Sequence, residues 1–95
     1  MALQAMDAAQ RSGNPLTQAY AHHGLAVSYL QSDRHVEAVE ELEQMRRQAL
    51  AAGSKLQEGF ALVSLSNEAH RRGDATEGKR LIEQAIAIFD AGARQ

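Results

Sequence analysis

The sequence predicts an all-α fold of about five antiparallel helices. Three observations carry this: a forty-residue internal repeat, turn signals at the seams of that repeat, and apolar residues recurring at helical spacing between the turns. A shift of forty superimposes Gln4/Gln44/Gln84, Ala9/Ala49, Gly13/Gly53, Leu16/Leu56, Ala21/Ala61, Leu25/Leu65, Glu37/Glu77 and Glu43/Glu83. Tyr20/Phe60, Gly24/Ser64 and Leu42/Ile82 match in kind. A fixed period in this range marks stacked supersecondary units.

The elements follow in order. A first helix over 2–12 ends at Gly13, which suits the left-handed residue after a helix. Asn14 then caps a second helix over 15–31, with Pro15 at the first helical position, where a missing N–H costs nothing. Gln31-Ser32-Asp33 is a junction without glycine, and Ser32 or Asp33 is expected to cap a third helix over 34–52. In that helix Val36, Val39, Leu42, Met45 and Ala49 form one stripe, with Glu37, Glu40, Glu41 and Glu43 off it. Gly53 ends it, and Ser54 with Gln57 reads as a capping box for a fourth helix over 55–72. There Leu62, Leu65 and Ala69 form one stripe and Leu56, Phe60 and Val63 another, so the helix is expected to pack on two sides. Arg71, Arg72 and Gly73 close it, and Asp74 with Glu77 starts a fifth helix over 75–92.

Composition narrows the function classes. The 95 residues make one domain at most, and 44% hydrophobic with 23% charged residues is ordinary for a globular chain. Aromatics are only 4%, as alanine-rich, closely packed helices allow. A net charge of −2 gives no basic face for nucleic acid. There is no cysteine, so disulfides and thiol catalysis are excluded. The N-terminal MALQAMDAAQ has no basic n-region and no stretch approaches a membrane span, so a cytoplasmic location is expected.

The small and bulky positions carry a family likeness. One unit reads Leu25-Ala26, Tyr29, Asp33, Ala38, Leu42 and Met45; the other reads Leu62, Leu65-Ser66, Ala69, Gly73, Gly78, Ile82 and Ala85. This pattern resembles the tetratricopeptide repeat (TPR) family over nearly the whole chain. It departs from it in a forty-residue period instead of about 34, in His22 at a bulky position, in Asp33 at the turn glycine, and in lacking the terminal proline. The resemblance implies a solenoid of antiparallel helix hairpins with two and a half repeats. Residues 2–12 would be the second helix of a partial repeat, followed by repeats at 15–52 and 55–92. Paired helices would cross closely at Ala26/Ser66 and Ala38/Gly78. The chain is expected to be a piece of a longer array, as in large bacterial regulatory proteins.

The resemblance also implies a concave groove for a peptide or partner helix. It would be lined by Tyr20, His23, Val27 and Leu30 from one helix and Phe60, Val63, Asn67 and His70 from another. Tyr20 and Phe60 are equally open to a role in the core between repeats. The family's clamp for a C-terminal carboxylate is not expected, because among its matching positions only Asn67 fits. An unsealed last helix would expose Leu81, Ile86, Ile88 and Phe89 for homodimerisation, which makes an oligomerisation module the alternative reading. A small-ligand sensor is a third.

Catalysis and metal binding are not expected. The histidines His22, His23, His35 and His70 lack the spacings that bring two ligands together, and the glycines stop helices without forming a phosphate loop. Arg46-Arg47 and Arg71-Arg72 lie near helix ends, where cations offset the dipole. No cofactor is implied.

Overall fold

A computed structural model of the chain describes residues 13–93. They form four α-helices: α1 (Pro15–Gln31), α2 (His35–Ala52), α3 (Lys55–Arg71) and α4 (Ala75–Ala93). No strand occurs among the described residues. The bounds agree with the sequence expectation to within a residue, and the helix expected over 2–12 lies outside the described residues.

One turn geometry generates the whole arrangement. Positive φ recurs at Gly13 (69°), Asp33 (60°), Gly53 (67°) and Gly73 (87°), every twenty residues and so twice per repeat. At the last three, the amide after the left-handed residue reaches back five residues. Arg34 N donates to Tyr29 O (2.8 Å), Ser54 N to Ala49 O (2.9 Å) and Asp74 N to Ala69 O (2.9 Å). These closures satisfy carbonyls that the helix end would leave unpaired.

Asp33 is the departure from glycine. The left-handed conformation crowds a Cβ, and aspartate tolerates it better than most residues. Asp33→Gly is expected to gain about 0.5 to 1 kcal/mol from relieved strain. It loses the carboxylate that faces His35 Nε2 at 2.7 Å, but that side chain is 91% exposed, so little is lost with it. Urea denaturation of the variant should show a midpoint at or above that of the wild type.

The caps follow the sequence with one correction. Asn14 Oδ1 accepts from Leu16 N (2.9 Å) and Thr17 N (3.2 Å), with Pro15 behind it. Ser54 Oγ accepts from Gln57 N at 3.2 Å, and Asp74 Oδ1 from Glu77 N at 3.1 Å. The return half of the Ser54/Gln57 box does not form: the Ser54 amide is committed to Ala49, and Gln57 Oε1 is buried without a partner. Neither Ser32 nor Asp33 caps α2. Arg34 holds that position without a side-chain bond, because Asp33 is taken up by the turn.

Each helix packs on its neighbours in sequence, and α1 also touches α3. The body is thin, 37 × 37 × 15 Å across its Cα atoms. Leu42, Met45 and Leu62 are its largest fully buried apolar side chains, set among Ala19, Ala26, Ala49, Ala61, Ala69 and Ala85. Alanines at these points let helices approach with little side-chain ordering cost.

The two hairpins solve the same packing problem with different pairs. In the first, His22 Nδ1 lies 2.5 Å from Glu41 Oε2 in a mostly buried contact. Forty residues on, the equivalent positions hold Leu62 and Leu81, both in the core. The first hairpin has Ala19 and Ala49; the second has Gly59 and Phe89. A Cβ on Gly59 would fall 2.5 Å from Phe89 Cζ, so the ring occupies the space that a side chain at 59 would need. At the third pair, Ala26 and Ala38 are replaced by Ser66 and Gly78, and Ser66 Oγ donates to Gly78 O at 2.6 Å across a buried crossing.

Candidate binding face

The exposed sides of α1 and α3 carry the same register. Positions 16, 20, 23, 27 and 30 on α1, and their counterparts 56, 60, 63, 67 and 70 on α3, follow helical spacing along one side. Tyr20 (53% exposed) and Val27 stand free, and His23 and Leu30 are half-buried. On α3, Phe60 (41%), Asn67 and His70 are exposed, while Val63 is half-buried and packs against the core.

Tyr20 and Phe60 share a register but not an environment. Phe60 meets Phe89 edge to face, with centroids 5.8 Å apart at 62°. The residue in α2 that corresponds to Phe89 is Ala49, which offers Tyr20 no ring. Phe60 therefore belongs partly to the α3–α4 contact, and Tyr20 stands out from α1. His70 is also engaged: its ring lies over Gly78, where a Cβ would come within 2.5 Å of Nε2.

Sequence reasoning left two residues out of this face. Leu16 and Leu56 are exposed one turn before Tyr20 and Phe60, and they are themselves a matched pair of the repeat. That matching, with the i, i+4 spacing to each aromatic, was the available signal. All four are large, apolar and exposed near the starts of α1 and α3. At Leu56 a depression of about 350 Å³ is lined also by Gly53, Lys55, Phe89, Gly92 and Ala93.

The face expected on the last helix is not assembled. Leu81 is 6% exposed and belongs to the core, because it takes the place that Glu41 takes beside His22. Ile88 and Phe89 are half-buried and pack against the core. Ile86 alone is widely exposed, at 61%, among Lys79, Glu83, Ala87 and Asp90.

Polar clusters bind the helices to one another. Glu68 is buried, and its Oε2 faces His35 Nδ1 and accepts from Arg71 Nε, both at 2.9 Å, so it ties α2 to α3. The second nitrogen of His35 faces Asp33, so the ring separates the two carboxylates. Among the described residues no group of three or more His, Cys, Asp or Glu side chains is placed to hold a metal ion. No described helix is long and apolar enough to cross a membrane.

Charge sits mainly on the opposite helices. At the start of α2, hydrogen bonding to its own backbone amide and to Arg34 holds the Glu37 carboxyl below its ordinary value. At the equivalent place in α4, Arg80 does the same for Glu77, and Glu77 raises the Arg80 guanidinium in turn. Both carboxylates lie in first turns, where negative charge also suits the helix dipole.

Comparison with family models, curated proteins and solved structures gave no match to the chain.

Proposed function

We propose that the chain is a TPR-like helical-repeat module that binds a peptide or partner helix on the exposed sides of α1 and α3, as part of a larger regulatory or signalling protein. The observation that carries this reading is the register of Leu16, Tyr20 and Val27 on α1 with Leu56, Phe60 and Asn67 on α3. Exposed apolar residues repeated in register along adjoining helices are the kind of surface that takes an amphipathic segment. The left-handed residue every twenty positions supports the repeat part of the proposal, since a constant turn between helices of near-constant length gives a constant step.

The rival reading, self-association through α4, has Ile86 as its one widely exposed large apolar side chain on that helix. The test is to map binding on the isotope-labelled chain by amide chemical shifts, with a peptide recovered from a displayed random library as probe. Perturbations are expected along α1 and α3. Perturbations confined to the outer side of α2 or α4 would overturn the reading.

A further inference from the structure

The four helices pair into two hairpins, α1 with α2 and α3 with α4. Inside each hairpin a buried polar group has found its match. His22 Nδ1 faces Glu41 Oε2 in the first, and Ser66 Oγ donates to Gly78 O in the second. The seam between the hairpins, where α2 meets α3, is different.

One end of the seam is tied, because His35 Nδ1 on α2 faces Glu68 Oε2 on α3 at 2.9 Å. Arg46 lies about three turns along α2 from His35, and Gln57 about three turns along α3 from Glu68. Each therefore shares the side of its helix that His35 or Glu68 turns to the seam. Since α2 and α3 run antiparallel, Arg46 and Gln57 stand at one level of it. Neither has a partner there. Gln57 is 3% exposed with a buried, unmatched Oε1, and the buried Nε of Arg46 is unmatched as well. Glu58, the next residue, is also buried and enters none of the ion pairs found among the described residues.

A buried polar group without a partner forfeits its hydration and gains nothing in return. A seam that parts slightly gives Arg46, Gln57 and Glu58 back to water, which offsets part of the apolar contact it loses. The crossings inside the hairpins have no such offset. We infer that the α2–α3 seam is a hinge about which the two hairpins roll as units, pinned at one end by the Gly53 turn and at the other by His35 and Glu68. Only the consequence for function rests on the binding reading above. That face takes α1 from one hairpin and α3 from the other, so the roll sets the distance between Tyr20 and Phe60. The face widens or narrows around its occupant.

The chain has no cysteine, so paired nitroxide labels can be placed uniquely. Ser28→Cys with Glu83→Cys spans the seam, and Ser28→Cys with Arg47→Cys stays within the first hairpin; each of these positions is exposed. Double electron–electron resonance on the free chain should give a distance distribution roughly twofold broader across the seam than within the hairpin. Adding Arg46→Leu and Gln57→Leu should narrow the first distribution to the width of the second and raise the urea midpoint. Equal widths without the leucines would overturn the hinge. So would a lower urea midpoint for the leucine pair, since the polar groups would then be matched in the closed seam. A peptide recovered from the displayed library should narrow the distribution across the seam. A broad distribution that a bound peptide leaves unchanged would overturn the hinge's control of the face and leave the hinge itself standing.

Discussion

Leu81→Glu is expected to be among the most damaging single changes in this chain, costing about 3 kcal/mol or more by burying a carboxylate with no partner. A domain of this size is stabilised by roughly 5 to 10 kcal/mol in all, so much of the native state's margin would go. The first hairpin carries a glutamate at the equivalent position without harm, because His22 Nδ1 lies 2.5 Å from Glu41 Oε2. Adding Leu62→His to Leu81→Glu rebuilds that pair in the second hairpin and should restore at least half of the loss, about 1.5 kcal/mol. The reverse exchange, His22→Leu with Glu41→Leu, should be neutral or stabilising by about 1 kcal/mol. Glu41→Leu alone leaves the His22 ring buried and unmatched and should cost about 1 to 2 kcal/mol. Urea unfolding of the wild type, these four variants and the remaining single variants Leu62→His and His22→Leu gives the coupling energies, and additive effects would show that positions 62 and 81 do not face each other as 22 and 41 do.

Gly59→Ala should change sign with its background. In the wild type the new Cβ lands against the Phe89 ring, which is half-buried, packs on the core and meets Phe60 edge to face. Displacing that ring should outweigh the gain of about 1 kcal/mol from replacing a mid-helix glycine, leaving a net loss of about 1 to 2 kcal/mol. In a Phe89→Ala background the obstruction is gone, and Gly59→Ala should stabilise by about 1 kcal/mol. The double variant reproduces the Ala19 and Ala49 of the first hairpin. Thermal unfolding of the four proteins reads the sign directly, and a stabilising Gly59→Ala in the wild type would show that the ring moves aside at little cost.

These exchanges explain what the sequence does and does not reveal. Helix limits were legible because Gly13, Gly53 and Gly73 take left-handed φ, and Asn14, Ser54 and Asp74 accept from the amides that follow them. The junction at Asp33 was legible as a break, but its cap was misread. Aspartate suits both a cap and a left-handed turn, and only the backbone shows which role it has. Leu81 was misplaced for a different reason. On the α4 stripe taken alone it resembles an outward residue, and its burial follows only when it is set beside Glu41 in the repeat.

The repeat shows which side of each helix is which: of the eight positions expected to line a groove, Tyr20, Val27, Phe60, Asn67 and His70 are exposed, and His23, Leu30 and Val63 are half-buried. The division between Tyr20 and Phe60 was not legible. It depends on the residue across the hairpin, alanine at 49 and phenylalanine at 89, and on Gly59, which makes room for the larger ring.

Isothermal titration of one recovered peptide against the wild type, Phe60→Ala and Ile86→Glu most directly tests whether function resides on α1 and α3. The account predicts about a tenfold loss for Phe60→Ala and a change within about twofold for Ile86→Glu. Binding that survives Phe60→Ala and is lost in Ile86→Glu would contradict it.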